Sequence, residues 1–345
     1  MLAYKPQNNK KDAYANMDCG ILCHFFNHKQ YMGGFTALDS TAYCALWGSL
    51  ILIAAWLVFA ALCFYFRHVN LPNLKWLHAA YMMALTGVIG GFFLMTPQND
   101  RVWEPNVERL AHYRFVDGQV EIHNVRNFIW QDQDTYTTQW VTRRYALENI
   151  QSVDLIVSHF IAGPVAHAFI SFGFTDGQHL AFSLEVRQEK EEGFSVLGGF
   201  FRQYELALVV GDENDVIYAR SNIRDEEVYI YPISIQPTDM QMLFLEYLNQ
   251  ANRLNHQPRW YNTLVSNCTT ILFDLMEYAM GNIPRDYRVL LPGLLPDYLY
   301  DHAQLDPRFT LDEWKQWAHV NPKTAHLTQG PDQAEPPFSQ LIRIH

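Results

Sequence analysis

Cysteine is scarce in this chain and unevenly placed. Of five in 345 residues, Cys19, Cys23, Cys44 and Cys63 precede residue 70 and Cys268 alone follows it. The later region therefore cannot form a disulfide of its own. Positive charge is short as well. Lys and Arg number 25 against 36 Asp and Glu, a formal net charge of −11. That balance excludes the basic stripe of a nucleic-acid groove and the polybasic patch that grips anionic lipid heads, so any lipid contact has to be hydrophobic. Several chemical signatures are missing too. There is no Gly-rich phosphate loop and no Gly-x-Ser-x-Gly elbow. His159, His167 and His179 lie on or near expected strands, yet no His-x-x-x-His or Cys-x-x-Cys pair accompanies them. Asp212-Glu213-Asn214-Asp215 lacks the spacing of a calcium loop and reads as a hairpin turn. No metal and no cofactor are expected.

What the chain does have is apolar length. Residues 45–66 run about twenty-two positions without a charge until Arg67 follows, enough to cross a ~30 Å hydrocarbon layer as a helix. A second stretch, 76–95, is of spanning length and carries Gly87, Gly90 and Gly91, which would let two helices approach closely. A two-helix transmembrane hairpin is the expectation, after an N-terminal tail over 1–44. Both chain ends then share one side of the membrane. Lysine and arginine are too evenly distributed to say which.

After Thr96 the composition turns mixed and aromatic, and 97–320 reads as one α+β domain, followed by a loosely ordered tail over 321–345. Strands of an antiparallel sheet are expected over 165–174, 180–187, 204–210, 216–220 and 228–231, punctuated by Asp117-Gly118, Asp176-Gly177, Gly198-Gly199 and Gly211 to Asp215. Thr238 is positioned to cap a helix reaching Leu254. Another helix follows Cys268 and stops at Gly281.

Cys268 opens that second helix, where unpaired backbone N–H groups and the positive end of the macrodipole favour a thiolate. The plain alternative is a small buried hydrophobe. A nucleophilic thiolate needs an imidazole partner on a rigid element. On the strand Ala166 to Phe174, Ile170, Phe172 and Phe174 alternate to one face while His167, Phe169 and Ser171 take the other. Matching apolar faces with the next strand requires an even sum of paired numbers. A three-residue loop of Thr175, Asp176 and Gly177 sets Glu185 across from His167, as an orienting carboxylate. The other even register sets Arg187 there instead. Asn267 and the Cys268 N–H are candidate oxyanion donors, and Tyr204, Ser171 and Arg187 are candidate substrate contacts.

Taken in order, several segments make the chain similar to a known family. They are Pro97 to Trp103, Asn124 to Phe128, His167 to Gly177, Ser183 to Arg187, Phe201 to Leu206, and Tyr261 to Leu264 running into Asn267-Cys268-Thr269-Thr270. The family is the periplasmic domain named for the bacterial lipoprotein N-acyltransferase Lnb, and the resemblance spans about 97–305. It implies a permuted papain-like, NlpC-type fold in which the histidine strand precedes the cysteine helix. It further implies a periplasmic site on a bacterial inner-membrane protein with two spans. Thioester chemistry is implied, with Cys268 as nucleophile, His167 as base and Glu185 as orienter, acting on phospholipid or lipoprotein. The order departs from the named enzyme, because here the hairpin comes first. Three functions stay open: a thiol acyltransferase, a cysteine hydrolase (lipase or peptidoglycan amidase), and a non-catalytic envelope-binding domain.

Overall fold

In a computed structural model, residues 56–61, 65, 75–190, 192–193, 195, 198–263, 266–327 and 337–343 are described. Contacts divide the chain into Met1–Ala84 and Leu85–His345. The expected tail over 1–44, most of the span over 45–66 and the loop joining it to the next helix lie outside the described residues. In the first unit, the rings of Trp56 and Phe59 sit 5.2 and 5.8 Å from that of Tyr81. The helix expected over 76–95 is present as α1 (Lys75–Leu94). Among the described residues no helix is long and apolar enough to cross a membrane, so α1 stands as a helix and the hairpin as an expectation.

The second unit is a mixed α+β fold around a mostly antiparallel eight-stranded sheet. Its strands are β1 (His112–Val116), β2 (Gln119–Arg126), β3 (Trp140–Tyr145), β4 (Ile150–His159), β5 (His167–Phe174), β6 (His179–Arg187), β7 (Glu205–Asp212) and β8 (Glu227–Pro232). The order is β1-β2-β7-β6-β5-β4-β8, with β3 also paired to β2. A single parallel contact, Arg126↔Gly211, joins β2 to β7. Asp176-Gly177 turns β5 into β6 through the three-residue loop, closed by Phe174 N donating to Gln178 O at 2.9 Å. The resulting register, Ile170↔Phe182 through Gly173↔His179, has the paired sum that carries His167 toward Glu185 rather than Arg187.

Two long helices cover one face. In α2 (Pro237–His256) the buried Leu243, Phe244, Tyr247, Leu248, Ala251 and Leu254 recur at helical spacing. Phe244 packs its ring 5.0 Å from Phe172, 5.5 Å from Phe182 and 5.8 Å from Phe174. Thr238 is not the cap: Pro237 occupies the first turn and Gln236 precedes it, since proline's fixed φ suits that position. The other helix, α3 (Cys268–Met280), stops at Gly281, whose φ of 84° suits a residue without a Cβ.

Two further expectations are corrected. The acidic run is no turn, and 216–220 is no strand. Glu213–Val216 is a helical turn and Ala219–Ile223 a π-helical one. Coiling sends Asp215 to Arg126 and Glu213 to Arg343, two partners that an extended chain, with both carboxylates on one side, would not reach together. The C-terminal residues are likewise packed. Phe338 and Ile342 are buried, and Arg343 bridges Asp154 and Glu213 at 2.6 Å each.

Removing the ring at the centre of the α2 contact leaves a cavity the sheet cannot close. Phe244→Ala is expected to cost about 3–5 kcal/mol, read as a lower denaturant midpoint at constant slope; a loss below about 1 kcal/mol would contradict this packing.

Candidate active site

Asn267 fixes where α3 begins. Its side-chain oxygen accepts from the N–H groups of Thr269 (3.0 Å) and Thr270 (2.8 Å), and Thr270 Oγ1 accepts from the Asn267 N–H at 3.0 Å. This reciprocal cap is worth about 1 kcal/mol. The Asn267 amide nitrogen donates to Thr263 O at 2.7 Å. The residue lines the cleft, but its amide is engaged in holding the cap and the preceding turn, not directed at an oxyanion.

Cys268 is thereby held in the first turn, buried, as a free thiol. Its sulfur lies 3.6 Å from Thr269 Oγ1 and shares the lining of one cleft with His167. Ladder pairing of β5 with β6 runs from Gly173 to Ile170 and stops short of His167. Burial alone would push the thiol up. The attraction of His167 outweighs burial and brings it down to about 7.

His167 is the start of a chain of polar contacts. Its Nε2 lies 2.7 Å from Ser183 Oγ, which donates to Glu185 Oε1 at 2.6 Å. The direct Nε2 to Glu185 separation is 3.5 Å, so the serine hydroxyl is the closer partner. Glu185 Oε1 accepts from Arg220 Nη2 at 2.7 Å, and Arg220 Nη1 donates to Glu226 Oε2 at 3.0 Å. Burial and Arg220 oppose a charged imidazole, but Glu185 and Cys268 together raise His167 to about 9. Glu185, despite burial, is held well below the usual carboxylate range by Arg220 and His167. Signs alternate from sulfur to Glu226, which is what allows five groups to share a desolvated site.

A cleft of about 480 Å³ opens onto this chain, lined by Cys268, His167, Glu185 and Arg220 and by the apolar Phe160, Val165 and Leu290. A smaller cavity of about 290 Å³ beside α3 is lined by Leu272, Phe273, Met276 and Tyr298 and holds no thiol.

Three residues expected as substrate contacts stand elsewhere. Tyr204 is fully buried; its hydroxyl accepts from Ser195 N at 2.6 Å and donates to Gly193 O at 2.8 Å, bracing a loop. Ser171 donates to Glu213 Oε1 at 2.6 Å, within the Arg343 cluster. Arg187 donates to Val107 O, Glu108 O and Asn99 and lies 4.2 Å from the Trp103 ring centre. Each meets a partner its buried polar atoms require, away from the cleft lining. In the other direction, Arg220 and Glu226 join the site unforeseen, because a short run of alternating residues resembles a strand. Ser183 was visible on the polar face of β6 between Ala181 and Glu185, without a role.

These contacts gather residues from 167 to 268, and comparison with known families falls on the same stretch. Residues 136–293 match the family model of the Lnb N-terminal periplasmic domain. The resemblance read from the sequence holds over that stretch, a little under half of the chain, and does not extend to 97–305 in full. No curated protein and no solved structure matches the chain. The matched stretch contains His167, Ser183, Glu185, Arg220, Glu226 and Cys268; it excludes β1, β2 and the docked C-terminal residues.

Because the sulfur is held down to about 7 by His167, its alkylation by iodoacetamide rises as pH passes about 7, where the thiolate forms while the imidazole keeps its proton. In His167→Ala, burial is left unopposed by the imidazolium and the midpoint moves above the ordinary thiol range, lowering the rate at neutral pH about tenfold or more. Measured rate against pH checks this; an unmoved midpoint would separate the two side chains.

Proposed function

We propose that this chain is a membrane-tethered cysteine acyltransferase of the cell envelope, acting through an acyl-thioester on Cys268 with lipid or lipoprotein substrates. The observation that carries the reading is that Cys268 and His167 line one cleft with partly apolar walls, where the charge of the imidazole lowers the thiol. The match to a domain described as periplasmic and named for Lnb supports it. The order of the histidine strand before the cysteine helix also suits a permuted papain-like arrangement.

In the proposed reaction the Cys268 thiolate attacks the carbonyl carbon of an acyl ester. The C–S bond forms, the C–O bond breaks, and the His167 imidazolium gives its proton to the departing alkoxide. The imidazole, now neutral, then takes a proton from an incoming amine, which displaces the thiolate and keeps the acyl group as an amide. The first turn of α3 directs the positive end of its dipole at the developing oxyanion. Glu185 acts on the imidazole through the Ser183 hydroxyl, and Arg220 keeps Glu185 ionised and in place. Tethering rests on the uncharged run over 45–66 and on α1, which exposes Met82, Met83, Val88, Ile89 and Phe93 around its circumference. A two-span anchor in the inner membrane, with the main domain periplasmic, raises the local concentration of lipid at the cleft.

Intact mass after incubation with phospholipid tests this. An acyl increment removable by hydroxylamine is expected, absent in Cys268→Ser. Its formation slows about 10²- to 10⁴-fold in His167→Ala and by less in Glu185→Gln. Free fatty acid without an adduct and without transfer to an amine makes the chain a hydrolase. No adduct and no product overturns the enzymatic reading.

A further inference from the structure

The cleft has a rim whose composition bears on how a substrate reaches it. Phe160, Val165 and Leu290 line the cleft, yet they are 50%, 48% and 53% exposed, so each ring or branch is half outside. Ile161, beside them in sequence, is 58% exposed. These side chains come from two segments that are fastened together: Gly293 N donates to Pro164 O at 2.9 Å, and a Cβ on Gly293 would lie 2.8 Å from Gly163 O. The 160–166 loop contains no charged residue. In the other segment Arg288 is paired with Asp286 and Asp301. One uncharged apolar patch thus borders the opening.

What it fits is indicated by a neighbour. Arg202 Nη1 donates to Phe92 O at 2.9 Å and its guanidinium lies 4.6 Å from the Phe92 ring centre, tying the end of α1 to the 198–203 turn. Gly199 of that turn lines the same cleft. The apolar end of α1, with Phe93 and Leu94 exposed, is therefore joined to the wall of the opening. A water-facing protein rarely leaves such surfaces adjacent.

We propose that the rim is a bilayer-docking face: Phe160, Ile161, Val165 and Leu290 enter the acyl region of an electrically neutral membrane, so that the cleft receives its acyl donor directly from the lipid layer. This rests on the acyl-transfer reading and supplies its substrate route. With a chain at −11 and no basic cluster on the rim, the docking is hydrophobic and insensitive to salt.

The test uses the full-length protein with phosphatidylcholine vesicles and an environment-sensitive fluorescent amino acid at position 161 or at position 117. The latter sits in the β1–β2 turn, four strands from β5. Doxyl-labelled phosphatidylcholine is expected to quench the probe at 161 and not at 117, equally in low and high salt. Equal or absent quenching at both positions overturns the proposal, whether or not adducts form on Cys268. In a second arm Ile161→Glu lowers acyl-adduct formation from bilayer lipid about tenfold or more and leaves iodoacetamide alkylation of Cys268 unchanged. An unchanged adduct rate counts against docking. Absence of any adduct in the unaltered protein removes the acyl-transfer reading, while quenching still decides the face.

Discussion

A charged Cys268–His167 pair can persist at the cleft only because charge alternates behind it. An imidazolium placed in a desolvated pocket would shed its proton, and a thiolate there would take one up. Glu185 prevents the first, acting through Ser183, and the imidazolium prevents the second. Glu185 in turn keeps its charge because Arg220 donates to it, and Arg220 is balanced by Glu226. Removing any one member leaves the next buried and uncompensated, a penalty of about 3–5 kcal/mol for a lost partner in a buried pair. The pair at the cleft is thus the end of a longer arrangement.

The sheet makes that end accessible. β5 and β6 are zipped near their turn, and β6 continues along β7 to Arg187↔Glu205. Beyond Ile170↔Phe182 the β5–β6 ladder stops, and His167 lies in the stretch of β5 unpaired with β6, where it lines the cleft with Cys268.

Much of this was legible in the residues. Alternation along Ala166 to Phe174 and 180–187, with the even-sum condition, was enough to choose a register, because slipping by one would expose Phe172 and Phe182. The placement of Cys268 at a helix start was legible because a cap and a terminal glycine bracket an amphipathic run. The residues lost were those whose partners are distant in sequence. Arg187 looks like a functional cation until its acceptors, backbone carbonyls near 107, are known. β1 and β3 escaped together with β2, to which both pair and whose bulge between Ile122 and Val125 breaks a period-two pattern.

The segment 213–226 shows why such long-range pairs matter for the site. Glu213 is tied to Arg343 and, through it, to Asp154; Asp215 is gripped by Arg126 with bonds of 2.9 and 3.0 Å. Both anchors are buried, and neither touches the cleft thiol. Between them and Glu226 the chain winds into a π-helical turn that carries Arg220 inward. A π turn is a poor hydrogen-bonding arrangement on its own and persists where its surroundings over-determine it. Here the surroundings are ion pairs at each end of the segment. The last described residue of the chain, Arg343, is therefore connected through the buried carboxylate of Glu213 to the segment that sets Arg220 against Glu185. The C-terminal residues thus brace the segment that carries Arg220, although they lie outside the matched family stretch.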